Sequence, residues 1–373
     1  MNTILKDYLE YAKEKSNIDE VQDTKLIKKN EKFLKLKELE HSDDMPKICK
    51  ELSLSLNDMD ILKSFSVSNF IAHSFYHDDN IDEEIGKRII DLFYKNIYYA
   101  CKYINDAALA YNIDEDDLTT DDIENLDIDI MYRIDYEALA AFTGIDTMIP
   151  AIMTLTCGNL NLREYFRSLE PTEYIEYIET YIPSMRYLHV GIDASLKTKI
   201  LVLSPKVERG FFIETADTNN CFHLITLLEN EIYNKKLLKR YGIDNFEYND
   251  LVYKVARGEE YSQEIIETTA HQQYYTIYAL QSDGSYKIED DNGELDLDNI
   301  LHSDISPEDI PQIEGTPIII MDSEGMWTKP IKWDNSYFTK LHQKLNPYVN
   351  ILDDITDEEY KSWIEKIKKF NNG

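Results

Sequence analysis

The feature that most narrows what this chain can fold into is a change of period near Pro183. Before it, apolar side chains recur at three- and four-residue steps, which gathers them on one face of a helix; beyond it, short apolar runs rich in β-branched and aromatic residues sit between turn-formers. Pro171 and Pro183 bracket the last helical pattern, TEYIEYIETYI, and proline does not continue a helix. The change predicts an α+β chain in two domains. An all-helical domain covers 1–183, and a mostly antiparallel sheet with flanking helices covers 184–373. A length of 373 residues fits two cores better than one.

In the first half, helices are expected over Thr3–Lys15, Asp23–Glu40, Met45–Leu56, Asp58–His73 and Glu83–Tyr111, and again over 134–170 with breaks near Gly144 and Pro150. The Glu83–Tyr111 pattern is aromatic, with Tyr94, Tyr98, Tyr99 and Tyr103 among its apolar residues. Tyrosines at that density pack their ring bodies and keep their hydroxyls near water, or form a surface that grips a partner. In the second half RYLHVGID, KTKILVLS and RGFFIET read as three strands, joined as hairpins by the short turns DASLKT and PKVERG. One long helix follows over 218–241. A second meander runs through HQQYYTIYAL, SYKIED and, after the turn DNG, ELDLDN. GTPIIIMDS and MWTKPIKW add two strands, and helices over 335–345 and 356–370 close the chain.

Charge limits the function. There are 71 Asp and Glu against 39 Lys and Arg, a formal net charge of −32. That field repels phosphate backbones and anionic membrane surfaces and favours basic partners, so direct nucleic-acid and membrane binding are not expected. The charge is not spread evenly, since residues 1–40 hold nine acidic and nine basic side chains. From Tyr103 to Tyr132 there is no Lys or Arg, and the block contains Asp114, Glu115, Asp116, Asp117, Asp121, Asp122, Glu124, Asp127 and Asp129. Like charges this close repel, which favours an extended, solvated run, while Leu118, Ile123 and Leu126 between them suggest that part of it docks on the body. The glycine that lets an EF-hand loop turn is missing. A second stretch without Lys or Arg, from Ile288 to Thr328, includes Asp290, Asp291, Glu294, Asp296 and Asp298.

Catalytic signals are thin. Cys49, Cys101, Cys157 and Cys221 are far apart with no CxxC, which fits reduced thiols and a cytoplasmic location rather than a disulfide framework or a zinc site. Charged residues interrupt the N-terminal 15 residues as no signal peptide would, and no apolar run approaches the length that crosses a bilayer. No metal or cofactor is expected. Ser195 and Lys197 lack the glycine-rich loop of a phosphate site, and His189 and His223 diverge from Cys221. His73 and His77 lie one turn apart and read as a surface pair at a helix terminus.

Cys221 is expected near a helix start, behind Asp217, Thr218, Asn219 and Asn220, with His271 and then Asp290 on later segments. That is the chain order of papain-like cysteine hydrolases. The reading the sequence favours is different. It is an acidic, cytoplasmic, non-enzymatic module that binds, and by binding neutralises, a basic partner protein, as an immunity protein or antitoxin-type inhibitor would. A cysteine hydrolase using Cys221, His271 and Asp290 is the alternative. A third reading is a DNA mimic whose carboxylates imitate phosphate spacing.

Overall fold

The computed structural model describes residues 3–76, 82–114, 117–244, 246–259, 267–268, 270–287, 289, 292–294, 296–322, 331–332 and 342–372. The chain is α+β and divides into two compact units, Met1–Ile192 and Asp193–Gly373.

The first unit is helical. It opens with α1 (Thr3–Ala12), α2 (Ile18–Gln22), α3 (Lys25–Lys29), α4 (Glu31–Lys37), α5 (Met45–Ser55), α6 (Ile61–Tyr76) and α7 (Glu83–Tyr111). It continues through α8 (Thr120–Glu124), α9 (Ile128–Ile134), α10 (Tyr136–Gly144), α11 (Ile149–Gly158), α12 (Leu160–Ser168), α13 (Thr172–Glu179) and α14 (His189–Asp193). Asp82 starts α7 by accepting from the amides of Glu84 and Ile85, and Asn112 ends it in the left-handed conformation.

The breaks expected at Gly144 and Pro150 do not separate the helices widely. A single 3₁₀ turn, Ile145–Met148, joins α10 to α11, and Pro150 sits in the first turn of α11, where its missing N–H costs nothing. Tyr136–Gly158 is therefore one apolar helical run of 23 residues. It is long and apolar enough to cross a bilayer, which corrects the expectation that no such run exists, and 72% of its most apolar window is buried inside the unit. Gly144 lets this run approach α6 closely. A Cβ there would lie 2.5 Å from Leu62 Cδ2 and 3.0 Å from the Phe65 ring, both buried. Gly144→Ala is expected to lose about 1–3 kcal/mol through overpacking, read as a fall in the urea midpoint followed by circular dichroism.

The second unit is a six-stranded sheet between helices. The strands are β1 (Thr198–Ser204), β2 (Arg209–Ala216), β3 (Gln273–Tyr275), β4 (Gln312–Ile313), β5 (Thr316–Asp322) and β6 (Tyr348–Asp354). Their order is β3-β5-β1-β2-β6, with β4 paired to β5; all pairs are antiparallel except β1 with β5. Alternation decides the layers. Ile200, Val202, Phe211, Ile213, Ile319 and Met321 pack toward α15 (Cys221–Asn234) and α16 (Asp250–Ala256). Leu201, Leu203, Ile318 and Ile320 pack on the other face with Tyr360 and Ile367 of α17 (Asp357–Asn372). Because β1 and β5 are covered on both faces they read as continuous apolar runs.

Several expected elements differ. RYLHVGID is not a strand: Pro183–Leu188 is a 3₁₀ turn leading into α14, because Met185, Leu188 and Gly191 recur at three-residue steps and are buried in the helical unit. DASLKT accordingly joins a helix to β1. The helix expected over 218–241 ends at Asn234. In the meander only Gln273–Tyr275 forms a strand, followed by a 3₁₀ turn at Ile277–Ala279 and a bridge between Leu280 and Tyr286. Residues 292–294 and 297–299 are turns and bends rather than strand. Of MWTKPIKW only Ile331–Lys332 is described, paired with Glu267–Thr268, and most of the helix expected over 335–345 lies outside the described residues. β6 is a strand that the sequence pattern does not announce.

Candidate functional site

The first acidic block is held on the helical unit by its apolar members. Leu118 and Ile123 are buried, so the segment after α7 is a docked loop and short helix. Thr119 caps α8 reciprocally: its hydroxyl accepts from the Asp122 amide at 3.2 Å, and the Asp122 carboxylate accepts from the Thr119 amide at 2.9 Å. The Thr119 hydroxyl and amide hold the Asp122 carboxyl below its ordinary range. Asp127 caps α9 by accepting from the amides of Asp129 and Ile130.

This loop lies against the C-terminal end of α13. Tyr181 donates to the Leu118 carbonyl at 3.5 Å and Thr120 donates to the Thr180 carbonyl at 3.4 Å. Tyr181 continues a row with Tyr177, at 6.0 Å between ring centroids, and Tyr174, one turn further back, meets Tyr94 and Tyr98 of α7 at 6.0 and 6.3 Å. Tyr98 is 55% exposed. Half-exposed tyrosines thus run from α7 along α13 to the Leu118–Thr120 segment, in a block whose Asp117, Asp121 and Asp129 are exposed. Among the described residues no ion pair joins those three to a Lys or Arg. Lys102, just ahead of the block, is already held by Asp106 at 2.7 Å and Asp135 at 2.5 Å. Asp114 lies at the start of the loop, while Glu115, Asp116 and the Glu124 side chain lie outside the described residues.

The second block belongs to the other unit, and much of what is described there serves a turn. Asp296 accepts from the Asp298 amide at 3.1 Å and from the Asn299 side chain at 2.9 Å, and Thr276 donates to the Asp298 carbonyl. Glu294 is exposed; Asp290 and Asp291 lie outside the described residues.

The structure does not bring Cys221 and His271 together. Cys221 opens α15, but its own amide donates to the Ile305 carbonyl and that of Phe222 to the Ser303 carbonyl, so two first-turn donors that an oxyanion would need are occupied. Its thiol is fully buried, and burial, then the nearby Asp309, push its pKa far up. His271 instead meets Glu229, two turns further along the helix and about 12 Å from Cys221 at 1.5 Å per residue. Chain order alone, without spacing, misleads here. Iodoacetamide is expected to leave Cys221 unlabelled in the native protein and to label it fully in urea; fast native labelling would contradict the burial.

The remaining candidates have structural partners. Ser195 shares a 2.7 Å hydroxyl contact with Thr218, and Lys197 pairs with Glu214 at 2.9 Å. His189 lies on α14, 3.4 Å from Glu179. His73 meets Glu40 at 3.0 Å, and His77 lies outside the described residues.

His223 accepts at Nδ1 from the Asn219 amide and therefore donates from Nε2 to the Ala256 carbonyl at 2.7 Å. Burial lowers its pKa from the ordinary 6.5 to about 4. The unfolded imidazole takes up a proton below 6.5 and the folded one only near 4, so acid in that window favours unfolding. His223→Gln is expected to flatten the loss of stability between about pH 6.5 and 4; an unchanged pH profile would contradict this.

No protein-family model matches the chain, and no curated protein or solved structure matches it either.

Proposed function

We propose that the protein is a cytoplasmic interaction module that binds, and by binding neutralises, a basic partner protein through the tyrosine and carboxylate face of its helical unit, as an immunity protein or antitoxin-type inhibitor does. The observation that carries this reading is the seating of the Lys- and Arg-free block on the tyrosine row through Thr180 and Tyr181. Exposed carboxylates raise the encounter rate with a cationic protein, and tyrosines supply large, rigid contact area at small entropic cost. Their proximity on one unit gives both parts of a binding surface: long-range attraction and short-range packing. Four free cysteines are consistent with the compartment.

The test compares the wild-type protein with an Asp117→Lys, Asp121→Lys, Asp129→Lys variant as bait in a lysate of the native host. Captured basic proteins should leave the wild type as salt rises above physiological strength, and the variant should retain at least about tenfold less of them. Equal retention by both baits would remove the reading.

A further inference from the structure

The helical unit contains a cleft of about 670 Å³, bounded by the chain after α4, the first turns of α5 and α7 and the last turn of α6. Cavities of roughly 300–1,000 Å³ hold drug-sized molecules. Its apolar side is Met45, Phe75 and Ile85, with Cys49 deeper in. Ser74 donates its hydroxyl proton to the Ile71 carbonyl at 2.6 Å, so in the 3.3 Å contact with Cys49 the thiol is the donor. Burial raises the Cys49 pKa, which keeps the thiol protonated: it is neutral lining and not a nucleophile.

The polar side carries carboxylates beside the imidazoles of His41 and His73. Glu40 and Asp82 line the cleft, and no lysine or arginine is among its described lining residues. The His73 imidazole contacts one Glu40 oxygen at 3.0 Å, and both capping amides on Asp82 use Oδ1. An ionised carboxylate offers about four acceptor sites, so both retain capacity for a charged donor. Among the described residues no ion pair joins either carboxylate to a lysine or arginine, so their charge is open to a cation from outside.

We infer that this cleft binds a small organic cation, an ammonium or guanidinium carried on an apolar body, with the charge at Glu40 and Asp82 and the body against Phe75, Met45 and Ile85. The thioether of Met45 adapts to the shape of the body. The site is independent of the acidic tyrosine face and stands or falls separately from it.

Three probes of one shape and different charge decide the matter: phenethylamine, 2-phenylethanol and phenylacetate, titrated against protein labelled at methionine and isoleucine methyls. The amine should shift the Met45 and Ile85 methyl signals saturably and bind at least about tenfold tighter than the alcohol or the acid, as charge-assisted hydrogen bonds require. Glu40→Gln should weaken the amine by about tenfold or more and leave the alcohol within about twofold. Similar affinities for all three probes, shifts at other methyls only, or an unchanged amine affinity in Glu40→Gln would overturn the inference. Should Glu40→Gln not fold, the charge series on the wild type is decisive by itself.

Discussion

Glu229→Ala is expected to cost the second unit about 3–5 kcal/mol. The carboxylate is 2% exposed and accepts from four donors. The His271 amide and the Gln272 amide reach it at 3.0 Å, as do the His271 Nδ1–H and the Tyr274 hydroxyl. These donors carry the chain from 270 into β3, so one side chain on α15 fixes the entry to the sheet. Removing it strands several buried donors at once, and an unmet buried donor costs more than a hydrogen bond contributes. Burial, then the adjacent Glu229, hold the Tyr274 hydroxyl well above its ordinary pKa, so it remains a donor. Glu229→Gln keeps one acceptor oxygen and should lose about half as much. All three tryptophans, at positions 327, 333 and 363, belong to this unit, so urea unfolding followed by tryptophan fluorescence reads it directly. A loss under about 1 kcal/mol for the alanine variant would contradict the argument.

Asp60→Ala is expected to cost the helical unit about 2–4 kcal/mol. Asp60 precedes α6 and is nearly buried; it accepts from the Ser16 amide at 3.1 Å, the Ser16 hydroxyl at 2.6 Å and the Tyr136 hydroxyl. Tyr132 donates to the Ser16 carbonyl at 2.9 Å, and the Lys15 ammonium lies 4.2 and 4.1 Å from the Tyr132 and Tyr136 ring centroids. The turn after α1 is thus pinned to α6, α9 and α10 by one carboxylate and two tyrosines. Asp60→Asn and Tyr136→Phe, alone and together, form a cycle whose coupling energy should exceed about 1 kcal/mol because the partners share one buried bond. Since no tryptophan precedes residue 327, circular dichroism follows this unit. Additive effects in the cycle would show that the contact carries no stability of its own.

How much of the fold is legible in the sequence follows from the range of the interactions involved. α7 and α13 are legible because their apolar steps of three and four residues persist over whole turns, and β1 and β5 because apolar residues fill both faces. Residues 186–193 mislead because a short run whose apolar members fall every third residue resembles a strand when it also contains His189 and Val190. β6 escapes because Asn350, Asp353 and Asp354 obscure the inward pair Val349 and Ile351, although the alternation is present. The interleaved Leu118 and Ile123 foretell that the acidic block docks, but not where, since Thr180 and Tyr181 are some sixty residues away. His271 stands out in the sequence, but Cys221 is not its partner. Its actual partner, Glu229, carries no local signal at all, because a glutamate on a helix looks solvent-facing until the packing of α16 and the 270–274 segment buries it.

The most direct measurement is amide hydrogen exchange of the protein alone and in complex with the partner captured from its host. The acidic tyrosine face predicts slowed exchange over residues 117–130 and 172–182 and over the Tyr94–Tyr98 turn of α7, with the rest of the helical unit unchanged. Protection confined to other segments, with these three exchanging as fast as in the free protein, would contradict the proposed binding face.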